Sequence, residues 1–396
     1  MLVQQLSVPV TIGAAFGVFA VYVVARCIYD LFFHPLRNIP GPKKAAIWSF
    51  YEFYYDVIKD GTYIWEIEKM HQKYGPIVHI NSRSLHIHDP EYFNTIYAGG
   101  GRKVNKELSA VSGYTFPHST ISTLDHDLHR KRRAIVNPYF SKKAIADIEP
   151  AIDERIDVLI SRLAEAKGST VDLACAFSAF TADVVTYHFY GSHANYIGSE
   201  DFKYGLKDAL TVLLNLYNLT RFLPFPANTL KNLPLPILGL INPNFPLVVS
   251  AREDNKKMVL NYINSSDEEK SAMRALDPSV PAQEKTLDRL LDEGETIIFA
   301  GIDTTARTIA IGVFHLLNNK EVLMKLRKEL EAIAKPDGQQ WTTTELEAMP
   351  YIGVVQEAIR LTYGLVVRIP RISAQEALQY NSFVIPPGIV DPAQLE

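Results

Sequence analysis

From Val8 to Ala25 the chain is almost wholly apolar, and no charged side chain occurs before Arg26. A run of that length matches the roughly 17–25 residues that a membrane-spanning helix needs. Arg26, Arg37, Lys43 and Lys44 follow the run and nothing charged precedes it, so the positive-inside rule puts the body of the protein in the cytoplasm. The alternative, a cleaved signal peptide, has a shorter apolar core of about 7–15 residues after a basic start. FFHPLRNIPGP follows over residues 32–42, and its prolines predict a stiff connector that sets the angle between body and membrane.

Past the connector the pattern becomes helical. Residues 62–74 place Tyr63, Ile67, Met70 and Tyr74 on one face, and Gly75-Pro76 ends the helix. The runs 76–80 and 84–89 predict a short β-hairpin. Helical periodicity then dominates from about residue 126 to 363, with another helix over about residues 349–362 and a strand-and-turn tail over 379–388. The longest pattern, residues 287–318, contains no proline and at roughly 1.5 Å per residue is long enough to cross a whole domain. Residues 222–249 stand apart, with prolines at 224, 226, 234, 236, 243 and 246 and Lys231 as the only charge. They predict an apolar loop, either covered by the core or pressed against a membrane beside a substrate entrance. The expected fold is mainly α with a small β-sheet behind an N-terminal transmembrane helix. Its divisions are an anchor over 1–28, a proline-rich hinge over 29–42 and one body over 43–396.

Composition narrows the classes. The 396 residues carry 40 Lys and Arg against 44 Asp and Glu, a net charge of −4, which argues against nucleic acid as the main partner. With 47% apolar residues and 21% charged, the chain is neither disordered nor a multi-span transporter. Cys27 and Cys175 are its only cysteines, too few for a disulfide scaffold or a cysteine-rich zinc site, and they suit a reducing compartment.

Three clusters are candidates for chemistry. Ala300-Gly301-Ile302-Asp303-Thr304-Thr305 interrupts the middle of the longest helix with residues that a helix built only for length would avoid. Ala300 and Gly301 would let a flat ligand approach the backbone, while Thr304 and Asp303 would offer a hydroxyl and a carboxylate for proton delivery. The competing explanation is helix packing or a kink. Glu357 and Arg360 sit at i and i+3, where they can pair, and such pairs also arise by chance as weak surface contacts. His129-Arg130-Lys131-Arg132-Arg133, ahead of Asn137-Pro138-Tyr139-Phe140-Ser141, is a solvated face, an anion site or a docking patch.

In their order and spacing these elements resemble the cytochrome P-450 superfamily of heme-thiolate monooxygenases, and FFHPLRNIPGP resembles the membrane-bound members from filamentous fungi. The resemblance covers essentially the whole chain. It implies a P-450 fold, heme as cofactor, a membrane-bound flavoprotein reductase as electron donor and a lipophilic small-molecule substrate, in secondary metabolism at the endoplasmic reticulum. It also implies roles. Arg133, His129 and Arg371 would hold the heme propionates, Ala300 and Gly301 would line the oxygen groove, and Thr304 and Asp303 would serve oxygen activation. Glu357 and Arg360 would form the structural pair behind the heme. The family's heme-ligating cysteine lies in a glycine-containing loop downstream of the Glu357 helix, and FVIPPG at 383–388 is the last recognisable piece here. Cys27 falls in the anchor and Cys175 in an early helix, so no metal ligand is assigned. The expectation is a P-450 fold incomplete at its C-terminus and inactive as this chain. The alternative is an active monooxygenase whose true C-terminus lies outside this sequence.

Overall fold

The computed structural model describes residues 8–47, 49–97, 101–202, 205–223, 233–264, 280–333, 335 and 341–391. The helices that frame the site and the anchor are α1 (Val8–Phe32), α2 (Tyr63–Tyr74), α3 (His126–Val136), α4 (Leu173–Tyr190), α5 (Gly205–Phe222), α6 (Leu235–Ile241), α7 (Phe245–Asn264), α8 (Leu287–Asn318) and α9 (Gly353–Leu361), and further helices include Glu149–Glu165 and Lys320–Ala332. The short strands are β1 (Ile77–Asn81), β2 (Ser84–Ile87), β3 (Val104–Lys106), β4 (Arg371–Ser373), β5 (Leu378–Tyr380), β6 (Phe383–Ile385) and β7 (Val390–Asp391). The body is therefore mainly helical with a small sheet, as the pattern predicts.

Along α1 the large side chains Phe16, Val18, Phe19, Val21 and Val24 are all exposed. An apolar helix standing clear of the protein core is compatible with a lipid-embedded anchor. The proline-rich segment after it does more than connect. Leu36 and Ile39 are buried in one cluster with Ile77, Leu85, Ile87, Leu378 and Ile385, so the segment is packed onto the sheet. The backbone N–H of His79 donates to the Pro40 carbonyl at 2.7 Å, and a Cβ on Gly41 would meet the His79 carbonyl oxygen at 2.6 Å. Glycine is needed there because the two backbones touch.

The five-stranded sheet has the order β1-β2-β7-β4-β3. β1 and β2 form the predicted antiparallel hairpin, with Ile77 opposite Ile87 and Val78 opposite His86. β7 lies parallel to β2 and antiparallel to β4, which pairs antiparallel with β3. Residues about 270 positions apart are thus joined at one edge, Lys106 facing Arg371 and Val104 facing Ser373. β5 and β6 make a separate hairpin.

The segment 222–249 differs from its expectation. Residues 224–232 lie outside the described ones, but most of the stretch from 233 to 249 is helix rather than loop. Pro234 caps α6, Pro236 lies in its first turn, and Pro246 is the second residue of α7. Proline is tolerated in a first turn, where its missing N–H has no intrahelical partner anyway, so these prolines start helices instead of breaking them. The Glu357 helix is likewise shorter than expected, running as a 3-10 turn over Pro350–Ile352 and then as α9.

The main core lies where α4 crosses α8. Ala176, Ala179, Ala182, Phe189, Ile298 and Ile302 are buried there together. Small residues on both helices let the backbones approach, and the Thr181 hydroxyl donates across to the Ile302 carbonyl at 3.0 Å. Two glycines of α8 are set by this contact. A Cβ on Gly294 would fall 2.0 Å from the Tyr190 hydroxyl, and one on Gly301 would fall 2.9 Å from Val185 Cγ2. Gly294→Ala is therefore expected to lower stability by about 1–3 kcal/mol despite alanine's better helix propensity, because overpacking a rigid contact dominates. In a Tyr190→Phe background, where the obstructing hydroxyl is gone, the same change should cost less. Thermal unfolding of the four proteins measures this, and equal losses in both backgrounds would show that the contact is not the cause.

Candidate functional site

Beneath the middle of α8 lies an open cavity of about 600 Å³. Ile297, Ala300 and Gly301 of α8 form its roof, with His129 and Arg133 of α3 and Lys106 of β3 along one side and Arg368 to Arg371 closing another. Val111, Ile121, Val136, Val185 and Ile369 make much of the wall apolar.

One end of the cavity is strongly basic. α3 starts at Asp125, whose side chain accepts from Leu128 N at 2.8 Å, and so its later turns present His129 and Arg133 to the cavity. The Lys106 ammonium donates to the carbonyls of Thr120 at 3.1 Å and Ile121 at 2.6 Å. Burial, and then Arg371 beside it, pushes Lys106 down to about 8. Burial also lowers His129 to about 4, reinforced by Lys106, Arg371 and Arg133. Burial holds Arg371 below its ordinary value. Glu293 is the carboxylate on the wall, but its Oε2 already accepts from Thr120 N and Thr120 Oγ1, both at 2.8 Å, and from Arg289. Arg289 Nε in turn donates to Glu284 at 2.9 Å, and Arg132 Nε to the same carboxylate at 3.0 Å. The acid is spent on a neighbouring network while the cations face the cavity.

His129, Arg133, Ala300, Gly301 and Arg371, all anticipated from the sequence, come together on this one cavity. Gly301 serves two needs, since its absent side chain also admits Val185. Asp303 and Thr304 do not line the cavity. Thr304 is exposed and donates its hydroxyl to the Ala300 carbonyl at 2.8 Å, and Asp303 pairs with Arg307 at 3.2 Å. Glu357 and Arg360 do pair, Nε to Oε2 at 2.8 Å, on an exposed face of α9.

Sequence reasoning missed a second constellation next to the cavity. Glu52 lies in the short helix Phe50–Phe53 and Asp56 in the π-helical turn Tyr54–Ile58. Arg221 ends α5 and Arg368 precedes β4. Arg221 donates to Glu52 at 2.9 Å and to Asp56 at 3.2 Å, and Arg368 to Glu52 at 3.0 Å and to Asp56. Asn81 adds a bond to Glu52 at 2.7 Å. All four charged side chains are buried. Burial works to raise Glu52, yet Arg368 and Arg221 hold it below the usual carboxylate range, whereas burial prevails at Asp56 and raises it. Lys106 was missed as well, because a three-residue strand in a polar stretch carries no pattern.

A mainly helical body with a basic-ended apolar cavity under one long central helix is the architecture of a heme protein of the P450 type, and the comparisons agree. The Cytochrome P450 family pattern matches residues 40–390. The chain is 83% identical over 400 residues to the cytochrome P450 monooxygenase pbrB of Penicillium brasilianum, an alignment covering 98% of this chain and 78% of that one. It is 44% identical over 393 residues to the cytochrome P450 monooxygenase TRI4 of Trichoderma arundinaceum, covering 97% and 76%. Among solved structures, retinoic-acid-bound cyanobacterial CYP120A1 superposes with a TM-score of 0.58 at 18% identity, covering 83% of this chain and 71% of that one. This chain belongs to the cytochrome P450 family.

The family's cofactor is heme, and the cavity fits part of it. Lys106, His129, Arg133 and Arg371 suit the two carboxylates of a porphyrin, and Ala300 and Gly301 leave room over its plane. No cysteine lines these walls. Cys27 lies in α1, and Cys175 stands in the first turn of α4 with its Sγ 2.9 Å from Lys207 Nζ and 3.3 Å from Asp172 Oδ2. Among the described residues, no group of three or more His, Cys, Asp or Glu is arranged to hold a metal ion.

The two ion-pair sites should respond differently to mutation. Glu52→Ala leaves Arg221 and Arg368 buried beside one remaining acid and is expected to cost about 3–5 kcal/mol. Glu357→Ala removes an exposed pair and should leave the chain within error of wild type in chemical denaturation. Equal losses at the two sites would contradict the assigned burial.

Proposed function

We propose that this protein is built as a membrane-anchored, heme-dependent monooxygenase of a lipophilic small molecule in fungal secondary metabolism, served by a membrane-bound flavoprotein reductase. The observation that carries the reading is the cavity itself, apolar along its wall and lined at one end by Lys106, His129, Arg133 and Arg371. The identity to pbrB, whose name is that of a cytochrome P450 monooxygenase, supports it. Heme bound there would supply the iron chemistry that oxidises an unactivated C–H bond.

The chain's own residues have distinct tasks in this reading. Arg133, His129 and Arg371 fix the orientation of the porphyrin through its carboxylates. Val111, Ile121 and Ile369 exclude water and accept an apolar substrate. Thr304 and Asp303, next to the cavity's Ala300 and Gly301 along α8, carry the hydroxyl and the carboxylate for proton delivery. Glu357 and Arg360 hold each other on the exposed face of α9. Residues 1–28 anchor the chain in the endoplasmic reticulum membrane, 29–42 form the hinge, and the body from 43 onward faces the cytoplasm. The exposed Leu235, Ile237 and Leu240 of α6 give the body a second membrane contact.

Neither cysteine of this polypeptide lines the cavity, so neither offers heme bound there a thiolate. The relatives are longer, the chain spanning 78% of pbrB, and a longer form that supplies a thiolate is the active alternative. The reduced, carbon-monoxide-bound difference spectrum tests both. The 396-residue polypeptide should show a histidine-type Soret band or none, and a thiolate-type band from it would overturn the assignment. A version extended with a family-type C-terminal segment should gain that band.

Deleting residues 1–28 should release most of the protein from microsomes, with some retention through α6. Protease added to sealed microsomes should digest the body, and an intact body would reverse the orientation.

A further inference from the structure

The residues from Phe50 to Ile58 form a short α-helical turn, Phe50–Phe53, followed by a π-helical turn, Tyr54–Ile58. Four residues overshoot a full rotation in an α-helix and fall short of one in a π-helix. In series, the two turns hold positions 50, 54 and 58 along one line and positions 52 and 56 along the opposite side. The first line is Phe50, Tyr54 and Ile58, exposed by 66%, 38% and 61%, and the second is Glu52 and Asp56, each 4% exposed. A helix at the surface of a water-soluble body does the reverse, turning its acids outward and its apolar side chains to the core. Here the carboxylates are turned inward, and Arg221 and Arg368 are buried with them to neutralise them.

The inverted segment is continuous with the surface already read as lipid-facing. It follows the anchor and hinge, where Phe32 and Phe33 are exposed. Phe53 packs edge-on against Phe222 at the end of α5, at 5.4 Å, and past that contact Leu223 and then Leu235, Ile237 and Leu240 of α6 are exposed. Lys43, Lys44 and Lys59 stand exposed at its two ends, with Lys44 Nζ over the Tyr51 ring at 4.3 Å and Lys59 Nζ over the Tyr54 ring at 5.8 Å. Lysines and tyrosines so placed suit the boundary between hydrocarbon and headgroup phosphates.

We propose that Phe50–Ile58 is an interfacial membrane-binding segment, with Phe50, Tyr54 and Ile58 set among the acyl chains of the bilayer surface and Lys43, Lys44 and Lys59 at its phosphates. The inference rests on the anchored reading above and adds a surface which that reading does not contain. It also gives the buried ion cluster a task. Arg368 lines the cavity, and Arg221 lies over the ring of Tyr217, another wall residue, at 5.9 Å. One charged layer thus joins the lipid-facing helix to the cavity wall and holds the cavity at a fixed height above the hydrocarbon.

Spin labels on single cysteines test this in the full chain, inserted into vesicles of phosphatidylcholine and phosphatidylserine. Cys27 and Cys175 are replaced by alanine, and labels are placed through Tyr54→Cys, Ile58→Cys, Phe19→Cys in the anchor and Lys143→Cys on an exposed turn of the body. Relaxation by oxygen, which concentrates in hydrocarbon, is compared with relaxation by a water-soluble nickel chelate. The labels at 54 and 58 should give an oxygen-to-nickel ratio several-fold above that at 143, on the side of the label at 19. Ratios at 54 and 58 equal to that at 143, with the label at 19 in hydrocarbon, overturn this surface and leave the anchor standing. A water-like label at 19 overturns the anchor, and this inference with it. Labels at 54 and 58 that are immobile and shielded from both agents show that a second copy or another part of the chain covers the face, which also overturns the proposal. Photolabelling of the unmodified chain by a phospholipid with a diazirine in its acyl chain reads the same surface even if the cysteine variants fail to fold. Adducts mapped by mass spectrometry should fall within 50–58 as well as in α1, and adducts confined to α1 and α6 overturn the proposal.

Discussion

The close approach of α8 to α4 is the contact on which the cavity depends. At Gly294 and Gly301 the side chains of Tyr190 and Val185 occupy the space that a Cβ would need, and the Thr181 hydroxyl bonds the backbone of α8 directly. Interiors this dense respond to a single added carbon, so the position of α8 is set within narrow bounds. The roof of the cavity, Ala300 and Gly301, is carried by the same turns that make the contact. A glycine that the motif assigns to ligand approach is therefore also a packing residue, and the two requirements select the same side chain.

Charge organises the rest. The first half of α8 buries Arg289, Asp292, Glu293 and Glu295, an expensive arrangement unless each is paired. Each is. Arg289 meets Glu293 and Glu284, Arg252 of α7 meets Asp292 at 3.1 Å and also Glu295, and the backbone N–H of His118 donates to Asp292 at 2.8 Å. These pairs tie α7 and the 118–120 segment to α8 and consume the nearby acids. With those acids engaged, the cavity combines a basic end with an apolar wall.

Legibility in the sequence divides along the same line between local and distant interactions. The bounds of α8 and the β1–β2 hairpin rest on periodicity and emerge where the pattern puts them, whereas His129, Arg133 and Arg371 are expected at one site only through the family resemblance, and all three line the cavity. The helices begun by Pro236 and Pro246 read as loop in the sequence, because proline's meaning depends on whether it falls in a first turn or beyond it. The Glu52, Asp56, Arg221 and Arg368 cluster is invisible there because its members come from separate elements up to about 316 residues apart, and each alone reads as an ordinary surface charge. Lys106 acquires its meaning only from a register partner at Arg371.

The residues that stay away from the cavity share a location. Asp303 and Thr304 stand where α8 passes from its buried half to an open one, and beyond them Phe314 and Leu317 are exposed, as are Val355 and Ile359 of α9 and Leu365 and Val366 after it. A side chain of that size is stabilised by about 1.5–3 kcal/mol on full burial, so this face holds a large unrealised driving force for whatever packs on it. The Glu357–Arg360 pair lies on the same face, and in water its two charges attract only weakly. Covering the face would lower the local dielectric, strengthen that pair, and weaken the competition of water for Asp303 and Thr304. The propionate end of the pocket, by contrast, is assembled from β3, β4 and α3 without reference to that face. The two halves therefore differ in construction, the basic end assembled from side chains of three elements and the α8–α9 face formed by exposed apolar side chains.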